Sequence, residues 1–312
     1  MRSSPGTAHP ERDRDRAGWA PAIRGVVWAV ACSALAVLSV VWLHTPHFDP
    51  LAWTIWGREI ASPEVALSTL DGPSWKPLPV LFTTPLSLLG DAAPAAWLVI
   101  ARASGLLAVV LAYRLGRRLG SPAGGVLAAV LLLVIPAWAQ EVAFGGELGP
   151  LVALLLGAID RHLDERPSQA LVLGVGAGLL RTEIWPFLAL YGIWAWRRRA
   201  VDRRLVAGLF LVLPVLWFVP EWVVSGNPFR AGEVARASTE GRTPEFLADP
   251  VLEVLRRAYS LLPLPVHLLA VVAVLLAVRR REWALPLLAA GSLGWVAVVD
   301  AMAVLGGYPG LA

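Results

Sequence analysis

Six charged residues near the ends of apolar stretches carry most of the chemistry available to this chain. Asp49 lies in HTPHFDP (44–50), just past the first long apolar stretch. A carboxylate held there among aromatic and apolar groups suits a general base; a turn or helix cap before Pro50 is the plainer reading. Lys76, in SWKPLP (74–79), is the single lysine among 27 basic residues. Its ammonium suits a phosphate as a point charge, and equally suits a cation snorkelling to an interface. Glu141 and Glu147 share AQEVAFGGELGP (139–150), where Gly145 and Gly146 allow close backbone approach. Glu147 also suits the start of a helix, where an acid meets unpaired amide groups. Arg181 and Glu183 stand in LRTE (180–183); they pair with each other, or Arg181 binds an anion. Arg102 and Asp300, inside apolar stretches, are weaker candidates on the same ground. His44, His47 and Asp49 fall within six residues and could ligate a divalent metal, though paired interfacial histidines are more often polar surface.

The elements that must position these groups are set by composition. The chain has 312 residues, 57% hydrophobic and 16% charged, with a mean hydropathy of +0.63. A soluble domain carries roughly 25% charged residues, so an ordinary cytosolic enzyme is excluded, as is a disordered chain. The single cysteine, Cys32, excludes a disulfide within the chain, and no Cys/His cluster suggests structural zinc. Serine-nucleophile motifs, phosphate-cradling glycine loops and HExxH are absent.

Nine apolar stretches read as membrane crossings: 23–43, 95–113, 124–138, 148–159, 170–180, 184–196, 205–224, 261–278 and 283–305. The fourth to sixth are short of the roughly 20 residues a spanning helix needs, which fits a locally thinned bilayer. With the amino terminus inside, the inner segments hold 18 of the 27 basic residues, so the arginine runs follow the positive-inside bias and need no nucleic acid to explain them. The carboxyl terminus then lies outside. The expected organisation is an all-α polytopic protein. It has a basic cytoplasmic tail (1–24), a single transmembrane domain (25–312), and two long outer loops, 44–94 and 225–260. Trp53, Trp56 and Trp75 suit juxtamembrane helices at interface depth in the first loop. Arg230, Arg236 and Arg242 in the second read as solvated surface.

In order along the chain, HFDPLAWTIWGREI (47–60), SWKPLPVLFTTPLSLLG (74–90), ARASGLLAVVLAYRLGRRLG (101–120), GGELGPL (145–151) and LLRTEIWPFLALYGIWAW (179–196) resemble the GT-C superfamily of integral-membrane glycosyltransferases. That superfamily includes the lipid A aminoarabinose transferases, the protein mannosyltransferases and actinobacterial relatives. GYPG (307–310) looks like the start of a further outer loop, and full members run longer, so a truncated or minimal member is expected. The resemblance implies transfer of a sugar from a polyprenyl-phosphate donor to a hydroxyl of a lipid, glycan or protein, at the outer face of a bacterial plasma membrane. It implies Asp49 as base, in some members also holding a divalent cation such as Mg or Mn, and Lys76 near the donor phosphate. Glu147 would assist, Arg181 would face the phosphate with Lys76, and His47, Trp75, Glu141 and Glu183 would line the site. A non-catalytic membrane partner and a lipid-linked sugar transporter are the competing classes.

Overall fold

The computed structural model describes residues 10–42, 45–62, 67, 72–135, 137–237, 246 and 248–306, those before Gly25 by backbone alone. Among the described residues the regular structure is all helical. The α-helices are α1 (Pro10–Ser39), α2 (Phe48–Ala61), α3 (Pro77–Leu86), α4 (Ala93–Leu119), α5 (Pro122–Leu133), α6 (Trp138–Ala143), α7 (Leu148–Leu163) and α8 (Pro167–Gly178). They continue with α9 (Trp185–Arg198), α10 (Arg203–Ser225), α11 (Arg230–Ala237), α12 (Pro250–Ser260), α13 (Leu264–Arg280) and α14 (Ala284–Gly306).

Local chemistry sets several boundaries. Pro77 and Pro122 stand at helix starts, where a missing N–H costs nothing. Ser121, Asp202 and Asp249 cap α5, α10 and α12 by accepting from Gly124, Arg204 and Leu252 N–H. Between α3 and α4 the chain turns through a 3₁₀ segment in which Gly90 takes φ +58°, a conformation glycine adopts without strain.

Three helical stretches are long and apolar enough to cross a membrane: Pro77–Leu119, Arg203–Ser225 and Ala284–Leu305. Pro250–Ser260 and Leu264–Arg280 would make a fourth if read as one span, but they are bent by 88°. These are the helices of a membrane protein. They are fewer than the nine crossings expected. The apolar part of α1 (Gly25–Ser39) and helices α5, α7, α8 and α9 have 15, 12, 16, 12 and 14 residues. At 1.5 Å per residue they fall short of a ~30 Å hydrocarbon core.

The expectation for the tryptophans of the first loop is also corrected. Trp53, Trp56 and Trp75 are 1%, 1% and 3% exposed. The apolar face of α2 packs inward against α3 and α4 rather than outward toward an interface. Trp53 meets Trp97 edge-on with ring centres 5.6 Å apart, and Trp56 lies 5.5 Å from Trp75. Indole N–H groups fasten this core to backbone carbonyls: Trp75 to Leu216, Trp97 to Gly145, and both Trp185 and Trp217 to Gly178.

Helix α4 is the hub, and small residues let its neighbours approach. A methyl group added at Gly149 of α7 would lie 2.9 Å from Ala101 O and 3.1 Å from Gly105 N. At Gly116 it would lie 2.7 Å from Gly124 O of α5. Helices in membranes associate through such close backbone packing. The far ends of α4 and α7 are joined by charge. Asp160, 1% exposed, meets Arg114 at 2.8 Å, Arg161 at 2.5 Å and Arg118 at 3.8 Å. Asp164 meets the same three arginines at 3.1, 2.8 and 2.5 Å. Because α4 and α7 are pinned this way at one end and touch backbone to backbone at the other, Gly149→Val should force them apart. The expected loss is about 1–3 kcal/mol, read as a lowered melting temperature of the detergent-purified protein, with Gly208→Ala, a site with open space, as the neutral control.

Candidate active site

Glu147 immediately precedes α7, and its side chain is 7% exposed. A carboxylate in that position needs partners, since desolvation of an unpaired charge costs several kcal/mol. Two cations from distant parts of the chain supply them. Lys76 Nζ approaches Glu147 Oε2 at 2.6 Å, and Arg181 Nε donates to Oε1 at 2.8 Å. Arg181 continues to Glu183, with Nη1 3.5 Å from Oε1. Lys76, Glu147, Arg181 and Glu183 thus form one chain of ion pairs.

The fold delivers each cation on extended backbone. Lys76 (φ −136°, ψ 110°) directly precedes α3, and Arg181 (φ −140°, ψ 128°) bridges α8 and a 3₁₀ turn at Thr182–Ile184. Leu78 N–H donates to Leu179 O at 3.2 Å, bringing the two segments side by side. Segment 74–76 is fixed again from α10 and α11, through Trp75 N–H to Leu216 O and Ser74 Oγ–H to Ala231 O, each at 3.0 Å. Trp75, expected to line the site, is 3% exposed beside Lys76. The Lys76 ammonium lies 5.6 Å from the centre of the Trp53 ring. Among the described residues Trp53 Nε1 is a buried N–H with no hydrogen-bond partner.

Helix α6, which carries Glu141, and the loop from it to α7 are held by α4. Arg102 donates to Ala143 O from Nε at 2.9 Å and Nη2 at 2.6 Å, and to Ser39 Oγ from Nη1 at 2.9 Å. Arg102 is thus a positioning residue. Gly145 takes φ +82°, and a methyl at Gly146 would fall 2.0 Å from Glu141 Oε2, so the Glu141 carboxylate occupies the space that glycine leaves.

Glu141 and Glu147 are pushed in opposite directions. Burial would raise the Glu147 carboxyl, but Lys76 and Arg181 outweigh it and hold Glu147 below the usual range. Glu141 is raised, by burial first and then by the Glu147 charge, with Lys76, His47 and Arg181 opposing. Carboxylates separated in this way are suited to different roles.

His47 stacks on Phe144 with ring centres 4.2 Å apart, and its backbone N–H donates to Phe144 O at 3.0 Å. That bond ties the start of α2 to the acidic loop. Asp49 follows in the first turn of α2 and is half-buried. His44 lies outside the described residues. Among the described residues no group of three or more His, Cys, Asp and Glu is placed to hold a metal ion; the set of His44, His47 and Asp49 includes a residue outside them.

One residue escaped the sequence reading. Glu221, in α10, is 2% exposed, and Arg230 Nε of α11 lies 3.9 Å from its Oε2. Arg230, 19% exposed, is not the solvated surface residue expected. The signal was available: Glu221 is an acid within an expected crossing, and such groups are default functional candidates. Asp300, near the end of α14, has a buried Oδ1 with no hydrogen-bond partner among the described residues. Arg242 and GYPG lie outside the described residues.

No family model, curated protein or solved structure matches this chain.

The opposed carboxyls give a pH prediction. Because Glu147 is held below its unfolded value of about 4.3, its pairing stabilises the fold above that pH and is lost as pH falls through the folded value. Glu147→Gln should therefore be less stable at pH 7 by about 3–5 kcal/mol, with the gap to wild type closing below about pH 4. In the same variant the Glu141 carboxyl should titrate lower, since one cause of its elevation is gone. Melting curves from pH 3 to 7 check the first statement, and carboxyl infrared difference spectra the second.

Proposed function

We propose that this chain is a membrane glycosyltransferase of the GT-C type, moving a sugar from a polyprenyl-phosphate donor to an acceptor hydroxyl. The observation that carries the reading is the convergence of Lys76 and Arg181 on one buried carboxylate beside a second acidic loop, at the end of α7 opposite the arginine-rich end. Helices suited to hold a lipid tail surround it.

The chemistry follows from the charges. The acceptor oxygen attacks the anomeric carbon as the bond from that carbon to the phosphate oxygen breaks. Polyprenyl phosphate leaves with the bonding electrons. Its charge is met by Lys76 and Arg181, and the unused Trp53 N–H is a further donor for a phosphate or sugar oxygen. The hydroxyl proton goes to Asp49, at the start of α2. Glu147, kept ionised, serves to aim the two cations, and its assistance is that of positioning. Glu141, His47 and Glu183 complete the rim.

In this reading the chain lies in a bacterial plasma membrane with the amino terminus inside and the carboxyl terminus outside. The short helices complete nine crossings where the bilayer thins around them. The acceptor is a lipid, glycan or protein.

The test is transfer of labelled sugar from polyprenyl-phosphate mannose or arabinose by membranes expressing the chain at matched levels. Wild type should label an acceptor fraction. Asp49→Asn should lower the rate by roughly 10²–10⁴-fold, the range general-base catalysis spans. Lys76→Met and Arg181→Met should each lower it by about 10²-fold or more through loss of charge stabilisation at the leaving group. Transfer that survives Asp49→Asn unchanged would remove Asp49 from the reaction, and a folded wild type inert toward both donors would count against the reading.

A further inference from the structure

A groove of about 380 Å³ opens at the other end of the helices, lined by Arg161, Ser168, Gln169, Val172, Leu173 and Leu205. Its size is within the range of small-ligand sites. Arg161 of the last turn of α7 and Ser168 and Gln169 of the first turn of α8 share the lining with Val172 and Leu173, one turn further along α8, and with Leu205 of α10; the surface they turn to the groove is almost wholly apolar. Val172 and Leu205 are 48% and 38% exposed.

The surroundings are strongly basic. The helix ends that meet here, residues 114–122, 160–169 and 197–204, hold ten arginines against four acids. Two of these four acids are already engaged, since Asp160 and Asp164 are shared among Arg114, Arg118 and Arg161, while Glu165 is exposed. Arg161 reaches both through Nη2, at 2.5 and 2.8 Å, and a guanidinium has further N–H groups. Asp202 caps α10. The residue preceding α8, Arg166, offers no side-chain cap to its first amide groups, which adds positive potential at Ser168 and Gln169.

An apolar groove flanked by arginine-rich helix ends has the polarity of an anionic amphiphile. We propose that this groove binds a phospholipid with a net-negative headgroup from the leaflet on the arginine-rich side. The headgroup phosphate lies at Arg161, Ser168 and Gln169, with an acyl chain along Val172, Leu173 and Leu205. The site is about 20 Å from Glu147, at the opposite end of α7, and it is independent of the transferase reading.

The experiment is native mass spectrometry of the full chain, stripped of lipid in mild detergent and offered equimolar phosphatidylglycerol and phosphatidylcholine. The expected result is preferential retention of phosphatidylglycerol. Gln169→Glu puts a negative charge at the groove on an exposed side chain and should lower that preference about five-fold with unchanged melting temperature. Val172→Trp fills the groove and should abolish retention. Equal retention of the two lipids, or a preference unchanged in a folded Gln169→Glu, would overturn the proposal. So would displacement of the lipid by millimolar inorganic phosphate, which would make the site one for a free anion.

Discussion

Two cations share one buried carboxylate, and much of the surrounding architecture follows from keeping them there. Glu147 is nearly sealed from solvent, so Lys76 and Arg181 cannot wander without stranding a charge. That demand explains why the short segment 74–76 is bonded twice to α10 and α11, and why Leu78 and Leu179 lie backbone to backbone. It also gives Arg102 its purpose. By gripping Ala143 O, it sets the end of α6, which carries Glu141, and, through Gly145 and Gly146, the approach to Glu147. Residues from five helices and three connecting segments answer to a single pair of oxygen atoms.

Helix α7 separates this cluster from a second one with different logic. At its start one acid is enclosed by two cations that are 17% and 26% exposed. At its end two acids are shared by three arginines, two of them more than a third exposed. Ion pairs screened by solvent contribute little each, and their value lies in joining α4 to α7 as a network. The first arrangement restricts where charge can go; the second fastens helices.

The sequence announced its class through composition, and the structure brings together several of the residues that chemistry singled out. Lys76 stood out because it is the lone lysine, Arg181 because an arginine near membrane depth needs a partner, and Glu147 because of its place before an apolar run. Their partnership was not legible, since residues 76, 147 and 181 are joined only by tertiary packing. The tryptophans misled for a related reason. An amphipathic stretch such as 48–61 states that one face is apolar, but not whether lipid or protein will cover it. Apolarity likewise marks nine stretches where three helices, or four, have the length for a crossing, because short helices packed on one another use the same residues as helices in lipid. Asp160 and its arginines entered the reading only as topology, yet they build a tight network, and Glu221 passed unnoticed inside an apolar stretch.

Two arginines stand where backbone chemistry would favour glycine. Arg199 and Arg281 close α9 and α13 in the left-handed region, at φ +52° and +61°. A side chain there costs about 1 kcal/mol that glycine would not. Each belongs to a run of three consecutive arginines, at 197–199 and 279–281. Replacing either with glycine would relax the turn and at the same time weaken the electrostatic cue that orients a nascent helix during insertion. At these two turns biogenesis and folded stability pull in opposite directions, and the chain as it stands gives biogenesis precedence.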